Sequence, residues 1–525
     1  MSLNPLVLVR NSERRKGSNE VIGRLGLGCR ALLALLLPGL IAACTHGGVP
    51  ATPRPVASAE IETRLMRDIA TLSSDDFGGR QPGTDGEAKT LRFLSREWQA
   101  AGLASGTNDP AHPWFAPVEL AYSSPSTSTV RFVRKGRAVT LPDGGVAMFA
   151  SGARGLVELA PVVFVGNAGV DLERSELAGR VALMLWDHPG DADQREALLR
   201  QDAAAVIAIV KDDAELAHLA NDRRRGHYRL DATEAVTTLD GFMTRDAAER
   251  LLGAGRIEEL ESAAAQDDFR PIPLGIQVSV EATSAVGTAK TFNLIGHLPG
   301  KRPQDGAVLL MAHWDHFGSA CAPADAADRI CNGAVDNASG VAVLNELARQ
   351  LGAGPKLDRD VYFLATTAEE RGLLGAQAFT ENPPVPLDSI VAAFNLDSVA
   401  IAPAGSAFGI VGLGMTDLDA PIERIIRESG GEMGDPALAA QFVRRQDGWA
   451  LLQRDVPTVA VTTAYGAEEA LQRFMDERYH KPSDEIDGIE LGGAIDDLRL
   501  HLKLVRFFAD PLQWPADTGN KHAGP

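Results

Sequence analysis

The spacing of apolar positions changes character along the chain. Over residues 60–101 they recur at helical intervals, with Leu65, Ile69 and Leu72 on one stripe and Leu91, Leu94 and Trp98 on another. The turn-rich stretch 78–84, Gly-Gly-Arg-Gln-Pro-Gly-Thr, interrupts that pattern and predicts two helices rather than one. From about residue 120 to 275, short apolar runs at 162–165, 181–185 and 205–210 alternate with polar loops, and a helical stretch at 194–204 precedes the last run. This reads as a strand-rich module with a helix or two. From Thr291 onward, continuous apolar strands at 307–312, 361–365, 390–394, 408–411 and 458–461 alternate with helical periodicity at 341–351, 373–379 and roughly 492–508. Strands apolar on both faces, with helices between them, predict an α/β fold with a mostly parallel central sheet.

At 525 residues the chain exceeds what one core usually supports, which favours two domains. The patterns divide it into 59–125 plus 280–512 for the α/β part and 126–279 for a smaller inserted strand-rich domain, followed by a tail at 513–525. A net charge of -19 removes the basic footprint that nucleic-acid binding needs. The N-terminus has the pattern of an export signal. Arg10, Arg14, Arg15, Lys16, Arg24 and Arg30 precede an apolar run over 31–43 that is shorter than the roughly 20 residues of a membrane span. Residues 1–43 are read as that signal and 44–58, rich in Gly, Pro, Ala and Thr, as a tether.

The ending Leu40-Ile41-Ala42-Ala43-Cys44 resembles a bacterial lipobox. The resemblance implies cleavage before Cys44, a lipid on Cys44, and, with Thr45 next, the periplasmic side of the outer membrane; a plain secretory signal is the alternative. Membrane contact is expected through that anchor only. Cys321 and Cys331 then remain, and an oxidising periplasm permits a bridge between them that closes a short loop; two free thiols are the competing reading.

Six side chains stand in distinctive local phrases: His313 in M-A-H-W-D-H-F-G, Asp336 in N-G-A-V-D-N-A-S-G, Glu369 and Glu370 in T-T-A-E-E-R-G-L-L-G, Asp397 in F-N-L-D-S, and His480 in Y-H-K-P-S-D. Two imidazoles and three carboxylates are donors that zinc takes, and Glu369 is a spare carboxylate beside one of them. His313, the Glu369–Glu370 pair and Asp397 each follow a predicted strand, the place where α/β sheets build their sites. A lone H-x-D or E-E says little; the ordered set suits a two-metal hydrolase.

That set resembles the co-catalytic two-zinc peptidases that include bacterial secreted aminopeptidases, glutamate carboxypeptidase and glutaminyl cyclase. The likeness spans roughly 60–120 and 285–512, including Gly79-Arg80-Gln81-Pro82-Gly83-Thr84. The phrases V-V-F-V-G-N-A and D-L-E-R-S-E-L-A-G-R-V-A-L-M resemble a protease-associated domain. The resemblance implies two zinc ions. His313 and Asp397 would hold one, Glu370 and His480 the other, and Asp336 would bridge them. Glu369 would be general acid/base, and Asp315 would accept the proton of the free ring nitrogen of His313 and fix its tautomer. It also implies a cis Asp336–Asn337 bond.

Around this set, His316 is expected to support rather than ligate, and Glu346 to lie on the surface. Asp447 stands in Gln-Asp-Gly-Trp where many relatives have Ser-Asp-His. Tyr465 and Tyr479 are candidates for the pocket wall, and Asp484 for orienting His480. His188, His218 and His227 fall in no metal-like phrase and read as surface or structural. The expected activity is that of an aminopeptidase on peptide substrates. A carboxypeptidase, for which Arg371, Arg444, Arg445 and Arg473 are available, a glutaminyl cyclase, and a non-catalytic binding protein of the transferrin-receptor type are the alternatives.

Overall fold

The computed structural model describes residues 57–515 except 167–173, 189, 225, 231–236, 267 and 323–325. The expected signal, Cys44, the tether as far as residue 56, and the tail from 516 lie outside the described residues. No helix among the described residues is long and apolar enough to cross a membrane.

Four parallel strands form the centre of the α/β part, in the order Thr458–Thr462, Ile390–Asn395, Ala307–His313, Asp360–Thr366. Gly409–Val411 flanks them antiparallel on one side and Ile272–Leu298 on the other, so the sheet is mixed with a parallel core. Every residue of Ala307–His313 and of Asp360–Thr366 is buried, which is why both read as unbroken apolar runs. On one face, Leu65, Leu94, Leu344 and Leu498 pack over Val308, Leu310 and Phe394; on the other, Phe379 and Leu451 cover Leu309, Met311 and Leu364. The two N-terminal helices are Ser58–Leu72 and Asp85–Ala100, separated at the predicted turn.

The expected boundary of the inserted segment runs through two long strands. Phe115–Arg134 and Ile272–Leu298 pair antiparallel from Phe115–Leu294 to Arg134–Ile276, and so extend from the α/β part into the strand-rich part. There Arg154–Gly166, Val181–Leu185, Ala205–Val210 and Leu239–Thr244 run parallel, with Val146–Ala150 antiparallel at the edge. This part has cores of its own on either face, one around Leu183, Ile207 and Leu251, the other around Met184, Val206 and Phe242.

Glu346 is not on the surface. Helix Ser58–Leu72 lies along helix Gly340–Gly352 and covers it, and Glu346 accepts from Arg64 at 3.3 Å and Arg349 at 3.1 Å. Arg80, whose phrase drew notice only as a likeness, is fully buried. Its guanidinium donates to the carbonyls of Leu72 at 2.8 Å, Trp314 at 2.9 Å, Asn332 at 2.5 Å and Gly333 at 2.9 Å. It therefore ties the end of the first helix to the loops after His313 and before Asp336. Arg80→Met strips those carbonyls of their donor, and chemical denaturation is expected to show a loss of about 3–5 kcal/mol; an unchanged midpoint would mean water replaces the guanidinium.

His501, buried in helix Leu491–Phe508, bonds through Nδ1 to the Asp497 carbonyl at 2.7 Å and faces the edge of Phe394. Burial pushes its pKa down to about 4. The unfolded chain takes up this proton below pH ~6.5 while the folded one refuses it until about 4, so acidification across that window removes ~3 kcal/mol of stability. His501→Gln is expected to flatten that part of the stability profile.

Candidate metal centre

The strand ends deliver three of the site segments side by side. Ala307–His313 lies between Asp360–Thr366 and Ile390–Asn395, so His313, the turn Glu369–Arg371 and Asp397 emerge at one edge of the sheet. Asp336 precedes helix Gly340–Gly352, and its peptide bond to Asn337 is cis. The Asn337 side chain clips this loop to the Asp397 loop, donating to the Leu396 carbonyl at 2.9 Å and accepting from Ser398 N–H at 3.2 Å. Gly333 enters the loop at φ 55°, where a Cβ would stand 2.0 Å from the Asp336 carbonyl oxygen and 2.6 Å from the His316 ring, so only glycine fits. His480 follows helix Glu468–Glu477 and is held between Tyr479, stacked at 3.7 Å, and Phe317 at 4.6 Å.

The decisive geometry belongs to Asp336. Its Oδ1 lies 3.2 Å from His313 Nε2, which in turn lies 3.5 Å from Asp397 Oδ1. Its Oδ2 lies 3.4 Å from His480 Nε2, which lies 3.1 Å from Glu370 Oε2. One carboxylate thus faces two separate nests of donors. Ligands at about 2.0–2.1 Å from a tetrahedral ion stand about 3.3 Å from one another, so this donor set fits zinc in both nests. His313, Asp336 and Glu370 also form one of the two groups of potential metal ligands among the described residues.

The electrostatics agree with a cation site. Burial opposes charge on His480, yet Glu370 and Asp336 hold its pKa up at about 9. His313 is likewise driven above its ordinary value against burial, by Glu369, Asp336 and Asp397. Glu370 is buried and close to Asp336, but His480 and His316 hold it down at about 2. The carboxylates draw protons onto the imidazoles to obtain the positive charge the pocket requires. Burial pushes Glu369 well up, with Asp447, Glu370 and Asp397 adding to the push and His313 opposing it.

Residues 293–503 match Peptidase family M28. This segment is an M28 peptidase domain. Among solved structures, the aminopeptidase from Aneurinibacillus sp. strain AM-1 is similar at 17% identity, covering 85% of this chain and 93% of that one with a TM-score of 0.54, which establishes a shared fold. A zinc aminopeptidase from Bacillus subtilis aligns at 17% identity over 86% and 96% of the two chains, TM-score 0.47. Aminopeptidase NAALADL1 of Rattus norvegicus is 28% identical over 156 residues, 29% of this chain and 19% of that protein; the match thus spans about a fifth of the curated relative.

Several neighbours in the M28 domain stand otherwise than expected. The nearest acceptor for His313 Nδ1 is the backbone carbonyl of Asp315 at 3.1 Å, while the carboxylate is 3.8 Å away and instead accepts from Glu369 N–H at 3.1 Å. Asp315 therefore orients His313 through its main chain and Glu369 through its side chain. Asp484 turns away from His480; it accepts from Val335 N–H at 3.1 Å and Asp336 N–H at 3.0 Å and pairs with Arg478 at 3.2 Å, which holds the Asp336 loop. His316 supports, bonding the second oxygen of Glu370 through Nδ1 at 2.6 Å. Asp447 is buried, accepts from Thr366, and is pushed up to about 6 by that burial. Cys321 and Cys331 are disulfide-bonded, and Phe317 packs against them.

A pocket opens over Asp336, Glu369 and Asp397. Tyr465 and Tyr479 line it, together with Phe442, Phe474, Met475 and Arg445. Phe442, Phe474 and Met475 escaped the sequence reading because nothing local marks a side chain that faces a pocket, whereas Arg445 stands out in the sequence as an available cation. Of the other arginines, Arg473 is exposed, Arg444 pairs with Asp193 at 3.1 Å, and Arg371 lies over Tyr228 at 4.9 Å and Phe317 at 5.2 Å. His188 and His218 are exposed, as is His227.

Proposed function

We propose that the M28 domain is a dizinc aminopeptidase that removes N-terminal residues from peptides. The observation carrying this is the division of the Asp336 carboxylate between the His313–Asp397 nest and the His480–Glu370 nest. In this reading those two pairs hold one ion each and Asp336 spans both. Zinc so bound supplies Lewis acidity to the scissile carbonyl and acidifies the attacking water. Glu369 is left free to take the water's proton and return it to the leaving amine, because none of the close ligand contacts uses its carboxylate. Asp315 holds the Glu369 backbone for that task. The carboxylates of the pocket favour a substrate ammonium over a terminal carboxylate, and its aromatic and Met walls favour an apolar side chain.

Arg445 on the wall gives a second reading, a peptidase selecting substrates through a carboxylate. A digest of free-amine, N-blocked and C-amidated peptides with the zinc-loaded protein separates the two. Free-amine peptides cut from the N-terminus support the aminopeptidase; cleavage confined to peptides with a free C-terminus overturns it.

The inserted segment acts in this proposal as a rim of the cleft. Tyr228 of strand His227–Arg229 stacks on Arg371, the residue after Glu370, and Asp193 pairs with Arg444 beside Arg445. A cation–π contact is worth about 1 kcal/mol, so Tyr228→Ala is expected to lower kcat/KM by about fivefold, and Tyr228→Phe to restore it. Equal kinetics in all three proteins would detach the segment from catalysis. Export and lipid attachment at Cys44 complete the proposal; labelled fatty acid incorporated by the parent and absent from Cys44→Ala is the expected result.

A further inference from the structure

The strand-rich segment holds a cavity of about 480 Å³ that the metal centre does not use. Arg195 reaches it from helix Asp191–Arg200, Arg223 from helix Asp213–Arg224, and Asp240 from strand Leu239–Thr244. Both guanidinium groups converge on one oxygen of the buried Asp240 carboxylate, Arg195 at 3.4 Å and Arg223 in a direct hydrogen bond. Two cations therefore share a single buried carboxylate. Each guanidinium also lies against an aromatic ring, Arg195 over Trp186 and Arg223 over Phe149, both at 5.7 Å. Stacking of that kind fixes the plane of the fork.

The Nε atoms of both arginines are buried and have no hydrogen-bond partner. Holding Asp240 uses one Nη of each guanidinium, Nη1 of Arg195 and Nη2 of Arg223, and does not account for these. Two further carboxylates line the cavity: Glu196 accepts from Arg200 at 3.4 Å, and Asp222 has a partner of its own. His227 adds a third potential donor. Pro125, Phe149, Ala150 and Leu199 make one part of the wall apolar, and hydroxyl side chains with Arg200 make the remainder polar. A buried donor without an acceptor is costly, and a planar fork pairs best with a planar anion. The volume suits a small organic ligand.

We propose that this cavity binds a small organic carboxylate, its oxygens accepting from Arg195 and Arg223 and its carbon skeleton lying on the apolar wall. The inference stands on the two arginines and the cavity, independently of the peptidase reading. Inorganic phosphate shares the charge but lacks the carbon skeleton, and an amide shares the skeleton but lacks the charge.

The test is calorimetry on the full, metal-loaded protein with 3-phenylpropionate, 3-phenylpropionamide and inorganic phosphate, alongside tryptophan emission. The acid is expected to bind with a change in emission that Trp186→Phe removes while calorimetric binding persists. Arg223→Gln and Arg195→Gln are expected to weaken it by about tenfold or more. Arg223→Lys keeps a cation toward Asp240 but loses Nε–H, and is expected to weaken binding while leaving the melting temperature near that of the parent. The proposal is overturned if the acid does not bind, if the amide or phosphate binds as well, or if the arginine variants, melting like the parent, retain full affinity.

Discussion

Glu369→Gln is expected to lower kcat by about 10²–10⁴-fold while zinc content and melting temperature stay at the parent's values. The amide matches the carboxylate in size and keeps the Glu369 N–H bond to Asp315, so the turn is undisturbed. It cannot, however, accept and return a proton. Glu369 lines the pocket beside Asp336 and Asp397, where the water and the leaving amine must meet. Steady-state kinetics paired with metal analysis checks the result. Loss of zinc in this variant would make Glu369 a ligand, and retained turnover would remove it from the proton path.

Removal of metal is the second large effect. Asp315, Asp336, Glu370, Asp397 and Asp447 are gathered around one site, and the buried Arg80 guanidinium that shares their field is itself shifted down to about 10 by burial. Two ions bound at ~1,000 times their dissociation constants contribute about 4 kcal/mol each to the folded state. Chelation is therefore expected to abolish hydrolysis and to lower the melting temperature markedly, and zinc to restore both. The loss should shrink on acidification, because protons compete with zinc for the raised His480 and His313 imidazoles and weaken its hold. A chelated protein that melts like the untreated one would mean these residues do not bind metal tightly.

The strands at 307–313 and 360–366 were legible because burial on both faces leaves an unbroken apolar run. Helices such as Asp213–Arg224 and Glu468–Glu477 were not picked out; each buries only two residues, so their apolar stripe is narrow. The five donors were readable because each sits in a phrase whose glycines, turns or strand end are local. Glu346 misled because a glutamate on a helix is usually solvated, and only the packing of Ser58–Leu72 against it reverses that.

The sequence by itself determined the parallel α/β core, the identities of the donors and the spare carboxylate beside them, since these follow from periodicity and from which atoms bind metal. Tertiary structure alone decided that the two oxygens of Asp336 face different histidines, that Asp315 meets His313 through its carbonyl, that Arg80 joins a helix end to two loops, and that Arg195 and Arg223 meet on Asp240. Such contacts join residues distant in the chain, and their directions are set by packing between elements, which no local pattern of residues records.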